Sequence, residues 1–189
     1  NDEEAPKIVS VYPASGERVG MDYRALSILA VDNLCLGQVD VEISGDGEHF
    51  LPFYTTGIAE TYCTTVNVTL PLDGFSHGDT IYIRTRAHDQ AGNVSEDVIS
   101  SYLIDLEAPG VSSAIAAYDD GGVPIRWDGG QEADLLGYRI YRRAASDSSY
   151  TLVAQRQAAA GQTVYSCVDY SISLIGSEYV YKIEAVDQC

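Results

Sequence analysis

Two stretches of the chain repeat earlier ones at nearly the same distance. IYIRTRAHDQAGNVS is answered by YVYKIEAVDQC, so that Ala87, Asp89 and Gln90 match Ala185, Asp187 and Gln188, 98 residues apart. DEEAPKIVS at residues 2–10 is answered by DLEAPGVSS at residues 105–113, an offset of 103. Self-similarity at this spacing marks tandem domains, and the Pro of each copy holds the approach to a first strand extended. The 189 residues are therefore read as two domains, 1–105 and 106–189. Each is long enough to bury a core of its own.

Within each half the apolar residues recur with period two instead of a helix's 3.6. In GQVDVEIS the spacing turns Val39, Val41 and Ile43 inward and Asp40, Glu42 and Ser44 to water. SGDG then makes a hairpin turn into HFLPFY. TTVNVTL places Val66, Val68 and Leu70 on one face. TIYIRTRAHD is a further strand, and DQAGN the turn into a final one. AAAGQT is too short and Gly-broken for a helix and reads as loop. Roughly seven strands in about 100 residues, with turns every 8–12, predict an all-β chain of two sandwiches.

The second half resembles a fibronectin type III domain through VPIRW, DLLGYRIYRR, YSCVDY and LIGSEYVYKIEAVD. The resemblance implies a core role for Trp127 and a corner hydrogen bond for Tyr179, which follows Leu174 and Gly176. It also implies that the second sandwich lacks its last strand, because Cys189 falls where Ala91 falls in the first copy. The strand over residues 178–187 is then expected to be an open sheet edge, frayed or covered by a neighbour. The first half is similar to a bacterial immunoglobulin-like surface module through APKIVSVYPASGERV, VDNLCLGQVDVEISGDGEHF and RAHDQAGNVS. It has no Trp, so it departs from the Cys…Trp…Cys pattern of antibody domains.

With 28 Asp+Glu against 11 Lys+Arg, the formal charge is −17. Such a surface repels phosphate backbones and anionic headgroups, which argues against nucleic acid as a partner. No apolar run approaches the roughly 20 residues of a membrane-spanning helix, so no membrane insertion of this segment is expected. The chain opens at Asn1 without a Met and is read as a piece of a longer polypeptide. Four cysteines, at 35, 63, 167 and 189, show no CxxC spacing of a zinc or redox site. Paired within each half, they would form Cys35–Cys63 and Cys167–Cys189 in an oxidising compartment; four free thiols are the alternative.

Catalytic patterns are missing: there is no GxSxG, no HExxH, and no phosphate or dinucleotide loop. His49, His77 and His88 each sit beside a turn and are expected at the surface. No catalytic residue and no cofactor is therefore expected. Calcium is the one ion considered, because hard cations take clustered carboxylates; the candidates are Asp32, Asp89, Asp105 and Glu107, without EF-hand spacing. Asp119 and Asp120 before Gly121-Gly122 read as a turn. Tyr138, Tyr141, Tyr179 and Tyr181 lie on strands, whereas Tyr118, Tyr150 and Tyr170 are better placed to be exposed. NVT at Asn67 and NVS at Asn93 are sequons that would matter only in a eukaryotic secretory pathway.

The expectation is a non-catalytic extracellular spacer and interaction module of a larger bacterial surface or secreted protein. Its partners would be neighbouring domains of the same polypeptide, and the Pro-containing LIDLEAPG would limit bending between the two sandwiches. An adhesive or carbohydrate-binding module attached to an extracellular hydrolase is the second reading.

Overall fold

The computed structural model of the chain describes residues 2–59, 61–119, 121–132, 134–172 and 178–187. It divides into two compact units, Asn1–Leu106 and Glu107–Gln188. Every regular element among the described residues is a β-strand.

The first unit contains β1 (Lys7–Tyr12), β2 (Arg18–Val19), β3 (Ala25–Val31), β4 (Leu36–Ser44), β5 (Leu51–Gly57), β6 (Cys63–Thr69), β7 (Thr80–Asp89) and β8 (Val98–Ile104). One sheet runs β1-β3-β6 and the other β2-β8-β7-β4-β5. All pairings are antiparallel except β2 with β8. The period-two pattern sorts side chains between core and solvent: Leu26, Ile28 and Ala30 of β3 meet Val39 and Val41 of β4 and Ile81 and Ile83 of β7 in one apolar cluster. Each such side chain withdrawn from water contributes roughly 1.5–3 kcal/mol. Pro52 sits on β5, an edge strand, where its missing N–H costs no ladder bond to a second neighbour.

Two details depart from the alternation. Ser44, expected to face water, is buried because its hydroxyl closes the hairpin turn: it accepts the amides of Asp46 (3.2 Å) and Gly47 (2.9 Å) and donates to Asp46 Oδ1 (2.8 Å). The last strand does not follow DQAGN directly but starts at Val98. Between them Ser95 turns inward, and its Oγ accepts the amide of Ala87 at 3.0 Å.

The expected Cys35–Cys63 bridge is not formed, since both residues are free thiols. Cys63 shares the outward face of β6 with Thr65 and Asn67, opposite the buried Val66 and Val68, so its sulfur points away from the core. Cys167 is likewise a free thiol, packed on the inner side of the second unit. Its expected partner Cys189 lies outside the described residues.

The second unit contains β9 (Val111–Ala116), β10 (Val123–Gly129), β11 (Gly137–Ala144), β12 (Thr151–Gln157), β13 (Val164–Asp169) and β14 (Tyr179–Val186). Its sheets run β13-β10-β9 and β12-β11-β14. Trp127 is fully buried, edge-on to Tyr138 (centroids 5.4 Å apart) and stacked on Tyr165 (6.0 Å). Tyr179 opens β14 beneath the Arg142 guanidinium, 5.2 Å from the ring centroid. The corner around Leu174 and Gly176 lies outside the described residues.

A buried carboxylate ties these sheets together. Asp169, at the end of β13, accepts hydrogen bonds from Arg142 Nη1 (2.7 Å), Ser171 Oγ (2.7 Å), the Ser171 amide (2.9 Å) and Tyr181 OH (3.0 Å). Burial alone would push Asp169 up, but the Ser171 and Tyr181 bonds and the Arg142 charge hold it below the usual carboxylate range. Tyr181 is pushed up to about 12 by burial and by its bond to Asp169.

The strands that repeat each other differ in cover. β7 lies between β4 and β8, and its inward Ile81, Ile83, Thr85 and Ala87 are at most 1% exposed. The corresponding Tyr179, Tyr181, Ile183 and Ala185 of β14 are only half-buried. Among the described residues β14 pairs with β11 alone.

Candidate metal centre

Three segments meet at one end of the first unit: the residues ahead of β1, the loop after β3, and the turn after β7. Each brings an aspartate. One carboxylate oxygen from each of Asp2, Asp32 and Asp89 lies within 4.8 Å of the others.

Local backbone chemistry fixes two of the three. Asp32 follows β3 directly, and its Oδ2 accepts the amides of Leu34 (2.9 Å) and Cys35 (2.6 Å), an Asx turn that locks the carboxylate against its own loop. The loop is pinned on both sides, because Asp32 N–H donates to Tyr62 O (2.8 Å) and Cys35 O accepts from Gln90 N–H (3.2 Å). Asp89 ends β7, and its Oδ1 accepts the amides of Gly92 (2.6 Å) and Asn93 (2.7 Å) in a turn that Gly92 closes at φ +100°. Gly37 lets β4 pass close by, since a Cβ there would stand 2.9 Å from the Asp89 carbonyl oxygen.

Asn93 joins this turn to the leading segment. Its Nδ2 donates to Asp89 Oδ2 (2.6 Å), Asp2 O (3.2 Å) and Glu4 O (3.4 Å). Asp2 Oδ1 in turn accepts Asn33 Nδ2 and the Glu4 amide, each at 3.2 Å. Asp89 is 6% exposed. Burial pushes its carboxyl up, but the Asn93 side chain and the turn amides outweigh that and hold it low, so it stays ionised. Asp32 Oδ1 is buried and has no hydrogen-bond partner. Among the described residues, no Lys, Arg or His pairs with any of the three.

Of the four calcium candidates read from the sequence, the structure brings Asp32 and Asp89 together. Asp105 is elsewhere, held by Arg18 Nη1 (2.7 Å) and His77 Nδ1 (3.1 Å). Glu107 is exposed in the second unit. Asp2 was missed, although its place ahead of EAP, matching Asp105, was the available signal. His88 is less exposed than its turn suggests, lying within β7 with Nε2 2.8 Å from Asp40 Oδ2, whereas His77 is exposed and reaches Asp105. His49 is on the surface, 2.7 Å from Asp46. Tyr118, Tyr150 and Tyr170 are exposed, with Tyr170 the most open at 75%.

No family model matches the sequence, and no curated protein does. By structure the chain is similar to the FN1–FN3 domains of chicken CNTN1, at 15% identity and a TM-score of 0.57, covering 98% of this chain. The fold is that of tandem fibronectin type III domains. The chain spans 63% of the length of that structure. The fibronectin(III)-like modules of Clostridium thermocellum CbhA align over 97% of this chain and 86% of theirs at 13% identity, with a TM-score of 0.47. A two-domain fibronectin type III segment of chicken tenascin aligns over 97% and 92% at 11% identity, with a TM-score of 0.33. At these identities the likeness concerns the fibronectin type III fold and leaves function to be argued from the residues.

Proposed function

We propose that the chain is a non-catalytic spacer and interaction module of a larger bacterial surface or secreted protein, working outside the cell beside neighbouring domains. The observation that carries this reading is serial repetition: two sandwiches, each with its own apolar core, each announced by the same Asp-x-Glu-Ala-Pro lead. Among the described residues, the depression between β5 and β6 is lined by Tyr54, threonines and Asn67, and the one beside Gly130 and Tyr165 carries Glu132 as its carboxylate. Among the described residues, neither presents the paired acids that glycoside hydrolysis uses. In this reading β14, which pairs with β11 alone among the described residues, is an edge open to a further strand or a neighbour.

One observation favours an adhesive or carbohydrate-binding module instead. Tyr118 and Tyr170 are 62% and 75% exposed and flank the Asp119–Gly122 turn. Flat rings displayed in this way can stack on a sugar. The test is a glycan and matrix-protein array together with a panel of polysaccharide substrates. A spacer leaves both blank. Saturable binding that Tyr170→Ala abolishes selects the adhesive reading, and turnover of any substrate overturns both.

A further inference from the structure

We propose that Asp2, Asp32 and Asp89 form a calcium site at the leading end of the first unit. A convergence of acids alone would not carry this, because a surface with a charge of −17 gathers acids by chance. The second observation is Asp32 Oδ1, shut away from water without a hydrogen-bond partner. A buried carboxylate oxygen is expected to be satisfied, and a donor or a cation must meet it. The amides beside it, Asn33 Nδ2 and Asn93 Nδ2, are spent on Asp2, Glu4 and Asp89, and two further carboxylates each bring an oxygen within 4.8 Å of one of Asp32's own.

The surrounding bonds behave as a scaffold. Asn93 gathers Asp89 and the Asp2 and Glu4 carbonyls, Asn33 steadies Asp2, and the Leu34 and Cys35 amides hold the outer oxygen of Asp32. Each carboxylate is thus anchored by neutral N–H groups that leave its negative charge uncancelled. The donors are all oxygen, which selects a hard cation over zinc or copper. Coordination habit then separates calcium from magnesium: magnesium demands a near-regular octahedron at about 2.0–2.1 Å and keeps most of its water, whereas calcium accepts irregular cages of carboxylate and carbonyl oxygens at about 2.3–2.6 Å. Three carboxylates carried by three separate segments, with backbone carbonyls beside them, suit calcium. Binding would tie the segment ahead of β1 to the β3 loop and the β7 turn, so the ion and the order of that segment are coupled.

The experiment is calorimetric titration of the chelator-treated full chain with calcium chloride, with thermal unfolding followed in parallel. The expected result is a single-site isotherm, a rise in Tm with calcium, and a much smaller response to magnesium. Asp2→Asn lies outside both cores, so it tests the site without endangering folding, and it should weaken binding at least tenfold. Asp32→Asn should do the same, while Asp73→Asn, at an exposed position elsewhere in the unit, should leave affinity unchanged. No heat and no Tm shift at millimolar calcium would overturn the proposal. So would binding that Asp2→Asn and Asp32→Asn leave intact, or an equal response to magnesium.

Discussion

Replacing Asp169 with Asn should unfold much of the second unit's margin of stability. The carboxylate is 5% exposed and faces Arg142 at 2.7 Å, whose side chain is 17% exposed. Asn keeps the size and still accepts the Ser171 amide, but it leaves the Arg142 charge buried without a counter-ion and weakens the bond from Tyr181. Removing one member of a buried pair costs about 3–5 kcal/mol. A unit of about 80 residues holds roughly 4–12 kcal/mol in all, so the variant would sit near its folding threshold. At about 4–8 °C per kcal/mol, the unit's Tm should fall by at least about 12 °C. Trp127 is the only Trp in the chain and belongs to this core, so its emission in a urea titration reports this unit by itself. Arg142→Met should recover part of the loss in the double variant, with a coupling of about 1.5–3 kcal/mol in the double-mutant cycle. A loss below about 1 kcal/mol, or strict additivity, would refute the claim that this pair is a buried electrostatic tie.

The same group sets a pH dependence. Asp169 is held low in the folded state, so its stabilisation is complete above the unfolded carboxyl pKa of about 3.9 and is lost as pH falls through the lower folded value. The wild-type and Asp169→Asn unfolding curves should therefore stay apart between pH 5 and 8 and converge as pH drops below about 4. Gly137→Ala should cost the second unit about 1–3 kcal/mol in the Trp127-monitored urea titration, because a Cβ there would overlap the Arg156 carbonyl of β12, which cannot swing aside. Thiol labelling of the native chain should modify the exposed Cys63 quickly and spare Cys167 until the second unit unfolds, since burial raises the Cys167 thiol and shields it. Protection of Cys63 that reductant abolishes would instead reveal a disulfide.

Period-two alternation made the strands readable because it records which face of a strand meets the core. Val66 and Val68, or Ile81 and Ile83, could be assigned from their own neighbours in sequence. What alternation does not record is which strand ends share a pole of the sandwich. Asp2, Asp32 and Asp89 are brought together by the pairings of β1 with β3 and of β4 with β7, and no local pattern reports their convergence. The Asp169 tie was hidden for the same reason, its partners lying on β11 and β14. Cys35 and Cys63 show the converse: adjacency of loop and strand start was foreseeable, but the side chain's outward face was overlooked.

The half-covered β14 sets up a contest that solvent composition can tip. Among the described residues its far row of amides and carbonyls meets no strand and can take up another extended segment, whereas copies carrying a charge of −17 repel at long range. Added electrolyte shortens the reach of that repulsion to about 8 Å near 0.15 M and about 3 Å at 1 M, while leaving backbone attraction nearly untouched. Ionic strength thus becomes the dial between solitary chains and self-associated ones.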